Sequence, residues 1–441
     1  MFKRSFAPFS LLILAVSVVH PAPANSKLTA ASALAMKPGP SGGAGPLAGV
    51  RPAPVPEDPQ AKLNASFVKA IKADDLKTGD ELLKAGAEVN ATDKNGSTPL
   101  MQAAASSLPQ TVQYLLSKGA SISAVDKDGY TPLLVAAYSG HLGTTSLLIG
   151  KGADVNAADK KGHTALMGAA YSGKTAVVKL LMDNGADILA RDKDDFTALM
   201  VAAGSGNLGS VQLLVDKGAI VNAATRSGFT PLMEAAGSGK PTVVQFLLDH
   251  GASVNDRNVR GSTALMVACY AGNMPIVQML VDHGSDTRVV DNLGHTCLIG
   301  AAYSGNGDIA ALLIGRGSEI ETRTNSGFNA LMQAAYSGHT NVMKLLIEKG
   351  ANIEAITGKG LTPLMQAAGS GNIGGVWLLL LSGADVNVRD RSGQSALMWA
   401  MKRDQPDIVD LLKQAGGKEF EVIHHTGPDA DGSPKEGSNG S

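Results

Sequence analysis

A chain of 441 residues is too long for one compact core and long enough for several domains or one extended array. Its net charge of −1, with 17% charged residues, leaves no global basic field for nucleic acid or an anionic membrane. Two cysteines exclude a disulfide-framework fold.

The chain opens with the pattern of a secretory signal over residues 1–24. Lys3 and Arg4 supply a positive start, Leu11 to Val19 an apolar stretch, and Ala22-Pro23-Ala24 a small-x-small cleavage site. The apolar run falls short of the ~20 residues that span a bilayer, so cleavage near Asn25 is expected rather than anchoring. No later segment is apolar enough to insert after cleavage. The expected destination is the periplasm, with full secretion as the alternative. Residues 25–60, rich in Ala, Pro, Gly and Ser, read as a disordered linker, and 418–441 as a disordered tail.

Residues 61–417 carry an internal repeat. Glycine recurs at 96, 129, 162, 228, 261, 294, 327, 360 and 393, spaced by 33 or its multiple, with Asp195 at the one gap. A second glycine ladder runs from Gly86 to Gly416 and a leucine ladder from Leu82 to Leu412, eleven rungs each. Residues 225–257 show the unit. Thr225-Arg226-Ser227-Gly228 is a turn, Thr230 an N-cap and Pro231 the first helical residue. Leu232 to Ala236 is a short helix whose alanines allow close approach. Gly237-Ser238-Gly239 breaks the chain. Val243, Val244, Phe246, Leu247 and Leu248 form the apolar face of a second helix, which Gly251 ends.

The pattern T-[PA]-L-M-x-A-A-x-S-G…V-x-x-L-L-x-x-G-A-D-V-N resembles the ankyrin repeat and covers about four fifths of the chain. The resemblance implies an all-α solenoid of about eleven stacked helix-turn-helix units with short hairpin loops and a concave groove. The chain departs from the family at its histidine. That position holds Met101, Met167, Met200, Met233, Met266, Met332, Met365 and Met398, with Leu134 and Ile299 between. The family histidine ties neighbouring turns, so looser hairpin loops are expected here. The terminal units, 61–95 and 393–417, read as polar caps, with Lys69, Lys72, Asp74 and Asp75 at one end and Lys402, Arg403 and Asp404 at the other.

Little points to chemistry. The methionine ladder invites a copper or oxidation-sink reading, but adjacent helices pack ~8–10 Å apart, which places successive thioethers poorly for one metal and well for a core. Cys269 and Cys297 fall on neighbouring first helices at a Cα separation of ~12 Å by helix rise and packing distance, beyond disulfide reach, so two free buried thiols are expected. Histidines 141, 163, 250, 283, 295 and 339 are scattered over different phases, although His141 and His339 share one. The serines of the repeated Tyr-Ser-Gly have no base in phase with them. No enzyme activity, cofactor or metal is expected.

The informative feature is aromatic. Nine residues after the turn glycine stand Tyr138, Tyr171, Tyr270, Tyr303 and Tyr336, interrupted by Gly204, Gly237 and Gly369. One residue after it stand Tyr130, His163, Phe196, Phe229, His295 and Phe328. By the family resemblance these two phases face the groove and hairpin side. Tyr130, Tyr138, Tyr171, Phe196, Phe229, Tyr270, Tyr303, Phe328 and Tyr336 are therefore the candidate contacts for a protein partner, since stiff amphipathic aromatics suit protein recognition. The competing account is tyrosine packing on tyrosine, spread by duplication. The expected function is a monomeric, non-enzymatic scaffold of the cell envelope that binds a protein partner in the groove. A secreted effector binding host proteins and an envelope oxidative-stress protein are the alternatives.

Overall fold

In the computed structural model, which describes residues 58–420, each repeated first helix begins at a side-chain oxygen. Thr98, Thr131, Thr164 and their equivalents accept a hydrogen bond from the amide three residues on, as does Asn329 where the threonine is absent. These helices are seven or eight residues long and carry paired alanines, such as Ala103-Ala104 and Ala334-Ala335, that are wholly buried. Every second helix is nine residues long. Thr175–Asp183 buries Val177, Val178 and Leu181. It ends where Gly185 N–H donates to Met182 O and Ala186 N–H to Leu181 O, the glycine standing at φ 84°. Helices this short are marginal alone, so packing between neighbours must hold them.

Among the described residues are 22 helices and two isolated β-bridges, Ala158 with Thr164 and Val290 with Thr296. The chain divides into two units, one ending at Ser238 and the other beginning at Gly239. In the first, the first helices Pro59–Lys72, Pro99–Ala105, Pro132–Ser139, Ala165–Tyr171, Ala198–Ser205 and Pro231–Gly237 pack each on the next. The second helices Pro109–Ser117, Leu142–Gly150, Thr175–Asp183 and Leu208–Asp216 do the same. In the other unit the first-helix layer runs Ala264–Ala271, Cys297–Ser304, Ala330–Ser337, Pro363–Ser370 and Ala396–Lys402. Its second-helix layer runs from Pro241–Asp249 to Pro406–Gln414. Each unit is thus an all-α stacked-repeat solenoid with a core between its two layers. Met167, Met200, Met266 and Met332 lie in that core, almost fully buried.

The hairpin turns are tied together without the histidine. The Asp, Asn or Thr three residues before each turn glycine accepts hydrogen bonds from inside its own turn. Asp126 Oδ1 takes the N–H groups of Asp128 (2.9 Å) and Tyr130 (2.8 Å). Successive turns are joined by main-chain bonds: Lys127 N–H to Asn95 O, Lys160 to Asp128, Lys193 to Lys161, Asn292 to Arg260 and Arg391 to Lys359, all 2.8–2.9 Å. The looser loops expected from the missing histidine are not found. A backbone ladder, held open by one short acceptor per turn, does the linking. Asp195 adopts φ 67°, the left-handed region its glycine equivalents occupy.

The ordered chain extends beyond the expected borders. The first helix starts at Pro59, capped by the Asp58 carboxylate, so Pro59 and Gln60 belong to the array rather than a linker. At the other end Lys418 N–H donates to Asn387 Oδ1 at 2.9 Å, and the Arg389 guanidinium lies 4.7 Å from the Phe420 ring. Residues 418–420 are therefore anchored. The signal segment 1–24, most of the linker and tail residues 421–441 lie outside the described residues.

Candidate functional site

The first-helix layer presents the tyrosine phase. Tyr138 and Tyr171 stack at 5.9 Å with 13° between planes, and Tyr270 and Tyr303 meet at 5.7 Å and 54°. Tyr270 also meets His295 edge-on at 6.2 Å. Tyr138, Tyr270, Tyr303 and Tyr336 are half-buried, and Tyr171 is 37% exposed. The tyrosines therefore pack on one another and present ring edges to solvent at the same time.

Four ladder residues also sit against the residue 30 positions later, in the next first helix. Tyr138 covers Gly168 and Tyr270 covers Gly300. Two ladder glycines meet a large partner: Gly204 lies against Glu234 and Gly369 against Trp399. At these four places size is exchanged between neighbouring repeats, whereas Tyr171, Tyr303 and Tyr336 stand 30 residues before Val201, Gln333 and Gln366. The serine after the tyrosine is structural too. Ser172 Oγ donates to Tyr138 O at 2.6 Å and Ser304 Oγ to Cys269 O at 2.9 Å. His141 and His339, the pair sharing a phase, each bond through Nε2 to a carbonyl of the preceding first helix, Ala105 O and Tyr303 O, at 3.0 Å.

The second aromatic phase divides. Tyr130 and Phe328 are half-buried. Phe196 and Phe229 are only 7% exposed and belong to the core, which removes them from the candidate contacts. The N–H of each is held by the acceptor that opens its turn, Asp192 Oδ1 at 2.8 Å and Thr225 Oγ1 at 3.0 Å. Phe196 packs with Met200 and Ala223, whereas Tyr130 and Phe328, clamped in the same way, stay half-buried. His163, in the same phase, is buried between Asp159 Oδ2 at 2.9 Å and Asp192 Oδ2 at 3.4 Å. Burial opposes its charge, but the bonds to the two carboxylates prevail and raise its pKa to about 9. Burial and then the Asp159 charge push the Tyr130 phenol up to about 12.

Three features were not anticipated. Cys269 and Cys297 are free and fully buried, as expected, but they are near enough for Cys297 to act on the Cys269 thiol. Burial, reinforced by that neighbour, holds the Cys269 thiol well above the usual range. Glu234 is a buried carboxylate whose Oε1 has no hydrogen-bond partner among the described residues, and burial alone raises its pKa to about 7. The helix Ile373–Leu381 exposes Ile373, Trp377 and Leu381 along one face, with Trp377 56% exposed. Trp377 takes the place filled by Lys344, Gln278, Gln245 and Lys179 in other repeats, a signal readable from the sequence.

Among the described residues no group of three or more His, Cys, Asp or Glu side chains is placed to hold a metal, and no helix is long and apolar enough to cross a membrane. A family model described as ankyrin repeats (3 copies) matches residues 67–159, 111–192, 166–258, 254–324, 312–390 and 331–424. No curated protein matches the sequence.

Proposed function

Because the chain belongs to the ankyrin-repeat family, whose repeats are in general protein-interaction modules and whose members are typically non-enzymatic scaffolds, we propose that it is a binding scaffold of the cell envelope. Its partner is a protein, engaged through the tyrosine-bearing first-helix face. The observation that supports this reading is the stacked, half-exposed ladder. The two ring pairs, 5.7–5.9 Å apart, lose little further freedom on binding and offer apolar area to a partner. The signal-like residues 1–24 support export, after which the scaffold acts as a monomer in the envelope. Burial of the first-helix ladder methionines such as Met167, Met200, Met266 and Met332 counts against their serving as a sacrificial oxidation store, because an oxidant must reach sulfur to be consumed.

The test is a crosslinked capture from the cell envelope. One bait is the mature chain and the other carries Tyr171→Ala, Tyr303→Ala and Tyr336→Ala, with helical melting compared first. Capture of one partner by the first bait and its loss with the second supports the reading. Equal capture by both moves the site off the tyrosine face. Capture only from culture medium or host-cell extract favours the exported-effector alternative.

A further inference from the structure

Glu234 sits in the middle of the first helix Pro231–Gly237, at a phase that holds valine in both adjacent repeats, Val201 and Val267, and an uncharged residue in the other repeats from Gln102 onward, among them Gln333 and Gln366. The fold therefore has an apolar solution for this place and does not use it here. The residue is 4% exposed, Oε1 has no hydrogen-bond partner among the described residues, and nothing nearby offsets the burial of the charge. A buried carboxylate left this way destabilises the repeat unless something from outside completes it.

The surroundings say where that would enter. Glu234 Oε2 lies under Gly204, 3.5 Å from where a β-carbon would stand, and Ser238 Oγ lies 3.8 Å from the same point. Gly204 is a tyrosine-ladder position without a side chain, and Gly237, the next, has none either. In the repeats before, Tyr138 and Tyr171 stand in this row. Two polar side chains thus converge beneath a bare stretch of an otherwise aromatic row.

We infer that Glu234, with Ser238, forms a recognition pocket for a cationic side chain, a lysine ammonium or an arginine guanidinium, borne by the protein partner and entering over Gly204. This rests on the scaffold reading above and adds to it the chemistry of one contact. The ammonium or guanidinium donates hydrogen bonds to the carboxylate oxygens, and its aliphatic stem lies over the glycine where a tyrosine would block it. Tyr138 and Tyr171, in the same unit, grip the partner, and the bare positions after them select the register in which a basic residue faces Glu234.

The test uses the mature chain and a displayed library of random twelve-residue peptides. An enriched peptide is measured by calorimetry against wild type, Glu234→Gln, and the combined Tyr138→Ala and Tyr171→Ala variant, whose tyrosines lie in the same unit as Glu234. A second peptide replaces its lysine by norleucine, or its arginine by citrulline, and needs no protein variant to fold. The expected result is at least a tenfold loss for Glu234→Gln, the same loss for the neutral peptide on wild type, and no further loss when the two are combined. An enriched peptide that binds Glu234→Gln as tightly as wild type, while weakened by the tyrosine changes, overturns the pocket and leaves the scaffold face standing. A peptide indifferent to all the variants, or no enrichment at all, overturns both.

Discussion

Tyr270 packs over Gly300 so closely that a β-carbon on residue 300 would lie 3.1 Å from Tyr270 Cδ2, 3.2 Å from Tyr270 N and 3.3 Å from Cys269 Cβ. The equivalent pair four repeats earlier, Tyr138 over Gly168, leaves 3.4–3.6 Å. The same substitution should therefore have opposite signs at the two sites. Gly168→Ala gains helix propensity, about 0.5–1 kcal/mol, against an ordinary contact. Gly300→Ala gains the same but must displace backbone, and overpacking of that kind costs about 1–3 kcal/mol. Urea melts of the two variants should move the midpoint up for Gly168→Ala and down for Gly300→Ala. Two shifts of the same sign would mean that the exchange does not set the spacing.

Asp195 is the one turn residue of its phase that is not glycine, and its turn has the longest rung. Arg226 N–H reaches Asp194 O at 3.4 Å, where the other rungs named above are 2.8–2.9 Å. A β-carbon at the equivalent Gly162 would press on Asp192 Cα at 2.9 Å, so the side chain of Asp195 holds the next turn off. Asp195→Gly should stabilise by about 0.5–1 kcal/mol through relief of the left-handed conformation. Hydrogen exchange at the Arg226 amide should slow. Unchanged exchange there would show that the rung is not limited by the side chain.

The sequence displayed whatever recurs at one phase. Caps, turn glycines, alanine pairs and the apolar second-helix face each sit in a single column of the 33-residue alignment, because the same local chemistry is repeated in place. What it hid lies on diagonals between columns. Tyr270 and Gly300 are 30 residues apart and Cys269 and Cys297 are 28 apart, so neither pair shares a phase. Helix-spacing arithmetic put the two thiols out of disulfide reach, and both are free, but it did not show that one acts on the other. Nor does a phase decide burial: Tyr130 and Phe328 stay half-buried while Phe196 and Phe229, at the same phase, are buried.

The cysteine pair makes a chemical prediction. Both thiols are fully buried and the Cys269 thiol is held protonated, whereas disulfide exchange needs an accessible thiolate. A thiol-reactive disulfide reagent at pH 8 should label neither cysteine in the folded chain over hours and both within seconds in 8 M urea (about the full unfolding range of the reagent). Labelling of folded protein at the free-thiol rate would contradict the burial.

His163 ties the turns of Asp159 and Asp192 as a buried cation, so its effect on stability has a definite sign. Its folded pKa, about 9, lies above the ordinary 6.5, and the folded state keeps a proton that the unfolded chain releases. The contribution is complete below pH 6.5 and is lost as pH rises through about 9. It amounts to about 3 kcal/mol at most. His163→Phe, which places there the residue found in phase at 196 and 229, should lose that pH dependence. A wild-type urea midpoint that does not fall between pH 6.5 and 9 relative to the variant would show that the imidazole is neutral when folded.

Glu234 differs from His163 in that no partner supports its charge, although its folded pKa is raised as well. Its folded pKa, about 7, lies above the ordinary 4.5, so between those values the folded state holds a proton that the unfolded chain has given up. Stability is therefore greatest below pH 4.5 and falls until about pH 7, where the carboxylate is charged in both states. The loss is about 3 kcal/mol across that window. Glu234→Val, which installs the residue of neighbouring repeats, should abolish the loss and raise the urea midpoint at pH 7.5 more than at pH 4.5. Comparing wild type with the variant at each pH removes the contribution of His163, which is common to both. A difference between the two proteins that is the same at both pH values would mean that the carboxylate is solvated in the folded chain, and the pocket over Gly204 would then lack the buried charge that a cationic partner is needed to complete.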